Sequence, residues 1–222
     1  MRITGGEFGG RNLKVPKTDA IRPTQDRVRE ALFNIIQCEI AGADFLDLFA
    51  GSGAVGLEAL SRGAKSVTFV ERERRHLAVL NENIGSLGSS SVGVGSSGVG
   101  VGSSSVGVGI VRPIETLNDT TVVAADAYRW IATYSGPGFS IGFADPPYAL
   151  GEEKGYASVL ATLADRGVIR EGGLFIAEMT AVQKAEETPG WELIRDRTYG
   201  KTRLCIWRRL SSNVLRPNEI KS

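Results

Sequence analysis

Gly51, Gly53 and Gly56 stand between two strand-like runs, and that arrangement narrows the folds open to this chain more than any other stretch. Upstream, Asp44-Phe45-Leu46-Asp47-Leu48-Phe49 has the length and apolar content of a buried strand. Downstream, a helix is expected over residues 57–62, with Gly63 placed to end it. Ser66-Val67-Thr68-Phe69-Val70 then reads as a second strand, tipped by Glu71. A strand, a glycine-rich turn and a helix N-terminus let backbone N–H groups come close to a ligand. An acid at the tip of the second strand, about 20 residues past the glycines, is positioned to hold a ribose diol. The unit points to a nucleoside pocket in an α/β sheet. The plainer explanation is a glycine turn that only packs a helix close to the sheet.

A second stretch has the same logic. Phe139-Ser140-Ile141-Gly142-Phe143-Ala144 is strand-like and runs into Asp145-Pro146-Pro147-Tyr148. Proline fixes φ and has no N–H, so two prolines cannot continue a ladder. The chain must leave the sheet here in a stiff direction, with Asp145 and Tyr148 at the carboxyl edge, where open α/β sheets hold their ligands.

The remaining pattern alternates strands and helices. Residues 1–16 read as a small hairpin, with turns at Gly5-Gly6 and Gly9-Gly10. Pro23 and a capping Thr24 precede a helix whose Val28, Ala31, Leu32, Ile35 and Ile36 share one face. A helix over 72–84 is followed by three near-identical Ser/Val/Gly heptads at 89–109, which carry no charge and read as a flexible inserted loop. A third strand at 120–125 ends in Asp126, followed by helices at 127–134 and 156–166, a strand at 173–178, and a closing hairpin from 191–195 and 202–207. The expected fold is a Rossmann-like, seven-stranded, doubly wound α/β sheet with a terminal antiparallel hairpin and a small N-terminal hairpin-helix extension.

Net charge is +1, but it is unevenly spread. Residues 1–29 hold seven basic and three acidic side chains, and residues 195–222 hold eight and two. Two basic ends around an acidic middle suit a polyanion. Arg22, Arg27 and Arg29 cluster near a helix start, where cations oppose the helix dipole, so an anionic partner is one explanation and plain solvation the other. No apolar run approaches the roughly 18 residues of a membrane span, and the first residues lack the apolar segment of a signal peptide. Cys38 and Cys205 are expected to be reduced packing residues of a cytoplasmic protein. Two cysteines and His76, expected on a helix surface, supply no metal cluster.

Taken together, the motifs resemble the class I S-adenosylmethionine-dependent methyltransferases. More closely, the chain resembles the bacterial family that methylates the exocyclic N2 of a guanine in 16S ribosomal RNA. The resemblance is carried by Ile3-Thr4-Gly5-Gly6, Arg22-Pro23-Thr24, Arg27-Val28-Arg29-Glu30-Ala31-Leu32-Phe33-Asn34, Asp47-Leu48-Phe49-Ala50-Gly51-Ser52-Gly53, Asp145-Pro146-Pro147-Tyr148, and Tyr199-Gly200 before Thr202-Arg203-Leu204. The heptads depart from it. It implies S-adenosylmethionine as cofactor, with Asp47 near its ammonium, Gly51 and Gly53 against its methionine and ribose portions, Glu71 on the ribose and Asp126 on the adenine. It implies catalysis by Asp145 and the Pro146 carbonyl, which accept the amine's hydrogens, and a Tyr148 that stacks on the base. Arg22, Arg27 and Arg29 would contact RNA. The expected partner is 16S rRNA or a small-subunit assembly particle, with no membrane and no metal, and the chain acting as a monomer. Residues 1–40 would form the RNA-contacting extension, 41–210 the methyltransferase domain and 211–222 a tail. The same planar-amine chemistry would serve a DNA adenine N6 or protein glutamine methyltransferase. A nicotinamide oxidoreductase would leave Asp145-Pro146-Pro147-Tyr148 unexplained, and a non-catalytic RNA-binding module would leave the strand-end acids without a role.

Overall fold

The computed structural model describes residues 1–16, 23–88, 110–111, 120–146 and 156–211. Alternation of side chains along the strands decides its layers. In β1 (Asp44–Leu48), Phe45 enters one apolar cluster while Leu46 and Leu48 enter another. The split recurs at Val122 and Val123 in β4 (Thr120–Ala124), at Ile176 and Ala177 in β6 (Ile169–Thr180), and at Ile206 and Trp207 in β8 (Thr202–Arg209). The first cluster takes in α1 (Pro23–Ile35), α2 (Ala54–Ser61), α3 (Arg74–Gly88) and the N-terminal segment. The second takes in α4 (Ala127–Thr133) and α5 (Tyr156–Asp165). Helices on both faces make the sheet doubly wound, as expected.

With β2 (Ser66–Glu71), β3 (Ile110–Val111), β5 (Phe139–Ala144) and β7 (Trp191–Tyr199), the sheet order is β3-β4-β2-β1-β5-β6-β8-β7. Strands β4, β2, β1, β5 and β6 are parallel, and β8 and β7 close the sheet as an antiparallel hairpin. All seven expected strands are present. The eighth, β3, is a two-residue antiparallel edge on β4, too short to carry a periodic signal. The 89–109 heptads lie outside the described residues.

Element ends moved where local chemistry overrode the pattern. Helix α1 starts at Pro23, so Thr24 lies inside the helix and not at its cap; a proline suits the first helical position, where its missing N–H has no partner to lose. Strand β6 begins at Ile169, ahead of 173, through a register shift between Phe139 and Ile141 and a Gly172 at φ 75°, which disguised the start as a turn. Strand β7 continues to Tyr199 because a sheet edge tolerates its exposed polar residues. Cys205 is buried as expected, but Cys38 is exposed in the turn after α1.

The N-terminal segment pairs antiparallel at Arg2 and Asn12, with the Ile3 N–H donating to Arg11 at 3.0 Å and the Gly10 N–H to Ile3 at 2.9 Å. It is docked on α2. The Glu7 N–H donates to the Ser61 carbonyl at 2.7 Å, and the Phe8 N–H to Ser61 Oγ at 2.8 Å. A Cβ on Gly6 would lie 1.8 Å from the Ser61 carbonyl oxygen, so only glycine permits this approach.

Candidate active site

Strand β1 has β2 and β4 on one side and β5 and β6 on the other, so the strand order reverses at the β1–β5 boundary. A crevice opens at such a point, beyond the carboxyl ends of the strands. Leu48 pairs with Ala144, and Ala144 pairs with Ala177. The next residues, Phe49 and Asp145 just past β1 and β5 and Glu178 within β6, therefore stand at one level on three adjacent strands. They line a single cleft of about 210 Å³ together with Asp47 and Gly51. Met1, Val15 and Arg29 close it from the N-terminal side.

The glycine turn is built by left-handed backbone. Phe49 sits at φ 62°, Gly51 at 55° and Gly53 at 80°. A bulky residue in this region is strained, which is a recurrent mark of functional loops. The Phe49 ring is held edge-on by Tyr128 at a centroid distance of 5.3 Å. Gly53 caps α2 without a side chain to offer. Asp47 supplies the missing acceptor from β1: its Oδ2 takes the Gly56 N–H at 2.9 Å. Asp47 is 1% exposed. Burial pushes its carboxyl up from the ordinary 3.8 to about 7; the Gly56 bond opposes the shift and the nearby Glu71 charge adds to it. It is thus an acid in the cleft that gains from a cation.

Glu71 ties the second strand to the turn. Its Oε2 accepts the Gly51 N–H at 2.8 Å, while Oε1 accepts the Arg72 and Glu73 N–H groups at 2.8 and 2.7 Å. The expected surface residue His76 is partly buried, with Nδ1 3.7 Å from Glu71 Oε2. Asp126 caps α4 by accepting the Arg129 N–H at 3.1 Å, and its other oxygen takes Arg72 Nη1 at 3.2 Å. It lines an open depression with Arg72, Tyr128 and Arg129. Pro146 lines a small apolar niche with Phe49, Tyr128 and Tyr156. Tyr148, Pro147 and Arg22 lie outside the described residues.

Among the arginines, Arg27 is exposed on α1. Arg29 corrects the expectation of an RNA contact. It is 4% exposed, and its guanidinium donates to Glu58 at 3.2 Å, to Asp26 at 3.1 Å and to the Arg2 carbonyl. Helical spacing from Val28 and Leu32 turns it inward. Its partner Glu58, inside α2, is 0% exposed and carried no motif to announce it. Burial alone would raise the Glu58 carboxyl, but the Thr4 hydroxyl and amide, then Arg62 and Arg29, hold it below its ordinary value. Asn83 was also silent in the sequence. On α3 it accepts the Lys14 N–H at 2.8 Å and donates to the carbonyls of Lys14 at 3.0 Å and Ser52 at 2.9 Å. It thereby joins the N-terminal segment to the glycine turn. Among the described residues, no group of three His, Cys, Asp or Glu side chains could hold a metal, and no helix is long and apolar enough to cross a membrane.

This arrangement can receive a ligand with a cationic end beside Asp47 and a reacting group beside Asp145. Comparison with known proteins agrees in extent and fold. The chain is 33% identical over 212 residues to ribosomal RNA small subunit methyltransferase D of Escherichia coli K12, covering 94% of this chain and 90% of that protein. It is 31% identical over 201 residues to the protein of the same name from Haemophilus influenzae, covering 90% and 89%. The solved structure of yhhF from Escherichia coli matches it with a TM-score of 0.72 at 31% identity, covering 95% of this chain and 98% of that one. The family model described as conserved hypothetical protein 95 matches residues 1–98 and 106–208, and the chain belongs to that family.

Proposed function

We propose that this chain transfers a methyl group from S-adenosylmethionine to the exocyclic N2 amine of a guanine in small-subunit (16S) ribosomal RNA. The observation that carries the reading is the level at which Asp145 emerges, next to the glycine turn and across one cleft from Asp47. Relatives that share nearly the full length are named as small-subunit ribosomal RNA methyltransferases, which supports RNA as the substrate class.

The residues fit the cofactor. The acidic lining suits its ammonium and sulfonium charges, and Gly51, on the cleft wall, leaves space where a side chain would otherwise stand. Asp47, Gly51 and Gly53 would hold its amino-acid and ribose portions, Glu71 the ribose hydroxyls and Asp126 the adenine amine. When bound, the cofactor supplies an activated methyl on a sulfonium, so the protein needs only to aim an acceptor at it.

An exocyclic base amine is a weak nucleophile because its lone pair is delocalised into the ring. The Asp145 carboxylate and the Pro146 carbonyl accept the amine's two hydrogens, turn the lone pair toward the methyl and stabilise the positive charge that develops on nitrogen. Tyr148 stacks on the unstacked base. Arg27 on the N-terminal extension contacts phosphate, while Arg29 acts inside the fold.

The test is to incubate the protein with methyl-labelled cofactor and separated ribosomal RNAs and subunits, then to digest and identify the labelled nucleoside. Label in N2-methylguanosine of 16S RNA supports the reading. Label in 23S RNA alone, or in another nucleoside, rejects it.

A further inference from the structure

The cleft does not end at Asp145. Its far wall is Leu204 on β8, and Glu178 at its rim accepts the Thr202 hydroxyl at 3.5 Å. Strand β8 runs antiparallel to β6, so the β7–β8 turn lies at the same sheet edge as Asp145. The Ala181 N–H, just past β6, donates to the Lys201 carbonyl at 2.9 Å and fixes the turn there.

Directly paired residues share a face of the sheet. Arg197 pairs with Leu204 and Arg195 with Ile206, and both partners belong to the cluster on the cleft side. Arg195, Arg197 and Lys201 are exposed. Among the described residues none of the three makes an ion pair; the two arginines donate only to neighbouring carbonyls of their own strand. The other face of the hairpin is arranged differently. There Asp196, paired with Cys205, takes Arg203 through two bonds at 2.7 and 2.6 Å. At the far end, Arg208 reaches Glu39 at 3.0 Å. Arg203 and Arg208 are thus held by carboxylates, whereas Arg195, Arg197 and Lys201 stand exposed along the strand and turn that lead to the cleft.

Resting on the RNA reading above, we infer that β7 and the turn after it form a phosphate rail: Arg195 and Arg197 on the strand and Lys201 in the turn carry the RNA backbone along the sheet edge to the cleft. Residues two apart on a strand are about 6.6 Å from one another, a spacing that lets successive cations meet successive phosphates. These contacts set position and affinity and read no sequence.

The experiment compares the parent with the triple variant Arg195→Gln, Arg197→Gln, Lys201→Gln and with the charge-keeping Arg195→Lys, Arg197→Lys. RNA binding is measured from 50 to 300 mM salt, together with methyl transfer, cofactor affinity and melting temperature. The Gln variant should raise the RNA KM about tenfold, lower the log–log salt slope by about 2 and leave cofactor affinity and melting temperature at the parent's values. The Lys variant should keep the parent's slope. An unchanged slope and KM in the Gln variant overturns the rail, as does equal loss in the Gln and Lys variants. A parent that methylates 16S RNA in the same assay keeps the proposed function intact in either case. A parent that neither binds nor methylates ribosomal RNA removes both.

Discussion

Arg29 Nε lies 3.2 Å from Glu58 Oε2 in an ion pair with almost no solvent contact, the two side chains being 4% and 0% exposed. The same carboxylate accepts the Thr4 N–H at 2.8 Å and Arg62 Nε at 2.8 Å. One buried acid thus joins α1, α2 and the N-terminal segment behind the cleft wall. A buried pair of this kind specifies an arrangement more than it adds stability, but removing one partner strands the other.

Glu58→Ala should therefore destabilise the fold by about 3 kcal/mol, because buried Arg29 keeps only the partly exposed Asp26 as a counter-ion and the Thr4 N–H loses its acceptor. The Glu58 carboxyl is held below its ordinary value, so its contribution is present above the unfolded-state value of about 4.5 and is lost as pH falls through the lower folded value. Urea unfolding at pH 7 and pH 3 should show the parent and the variant converging in acid. A gap that stays constant with pH would show that Glu58 acts by packing alone.

Asp47 has the opposite sign. Its carboxyl is raised from 3.8 to about 7, so the folded state holds the proton more tightly than the unfolded chain. Its cost is absent below about pH 4, grows as pH rises toward 7 and then levels off, at up to about 4 kcal/mol. Asp47→Asn should gain stability on the parent steadily from pH 4 to 7, read as the difference between urea midpoints, while losing affinity for S-adenosylmethionine. Parallel midpoint curves would contradict the assignment. In the parent, cofactor affinity should rise from pH 6 to 8, as the carboxylate proposed to face the ammonium becomes ionised.

Asn83→Leu should leave the Lys14 N–H and the Ser52 carbonyl without their partner, at a cost on the order of 2–3 kcal/mol. Because Ser52 belongs to the glycine turn, calorimetry should also register weaker cofactor binding. A lower melting temperature with unchanged cofactor affinity would confine Asn83 to a structural role.

Local chemistry made much of this legible before the fold was known. Gly51, Gly53, Asp47 and Asp145 announced themselves because turns and strand exits leave residue-type signatures, and the alternation of strands with helices fixed the layers. The silent residues act across the fold. Glu58 reads as an ordinary helix-surface acid, and Asn83 as an unremarkable polar residue on α3; the N-terminal segment meets both, with α1 also reaching Glu58 and the glycine turn Asn83. Arg29 is buried for the same reason: two residues on from Arg27, about 200° round the helix, the face changes from solvent to core. The hairpin's open cations were visible as charge at 195–201, but which face they occupy needed the β7–β8 register.

The central claim is that Asp145 orients a guanine amine of small-subunit RNA and does not bind the cofactor. The measurement that tests it is single-turnover methyl transfer to 16S RNA by the parent and by Asp145→Ala, with the cofactor dissociation constant determined in parallel. The account predicts N2-methylguanosine formed by the parent, a rate lower by a factor of 10² or more in the variant, equivalent to about 3 kcal/mol, and cofactor affinity within about twofold. Near-parental turnover by Asp145→Ala, or a loss explained wholly by weakened cofactor binding, would contradict it.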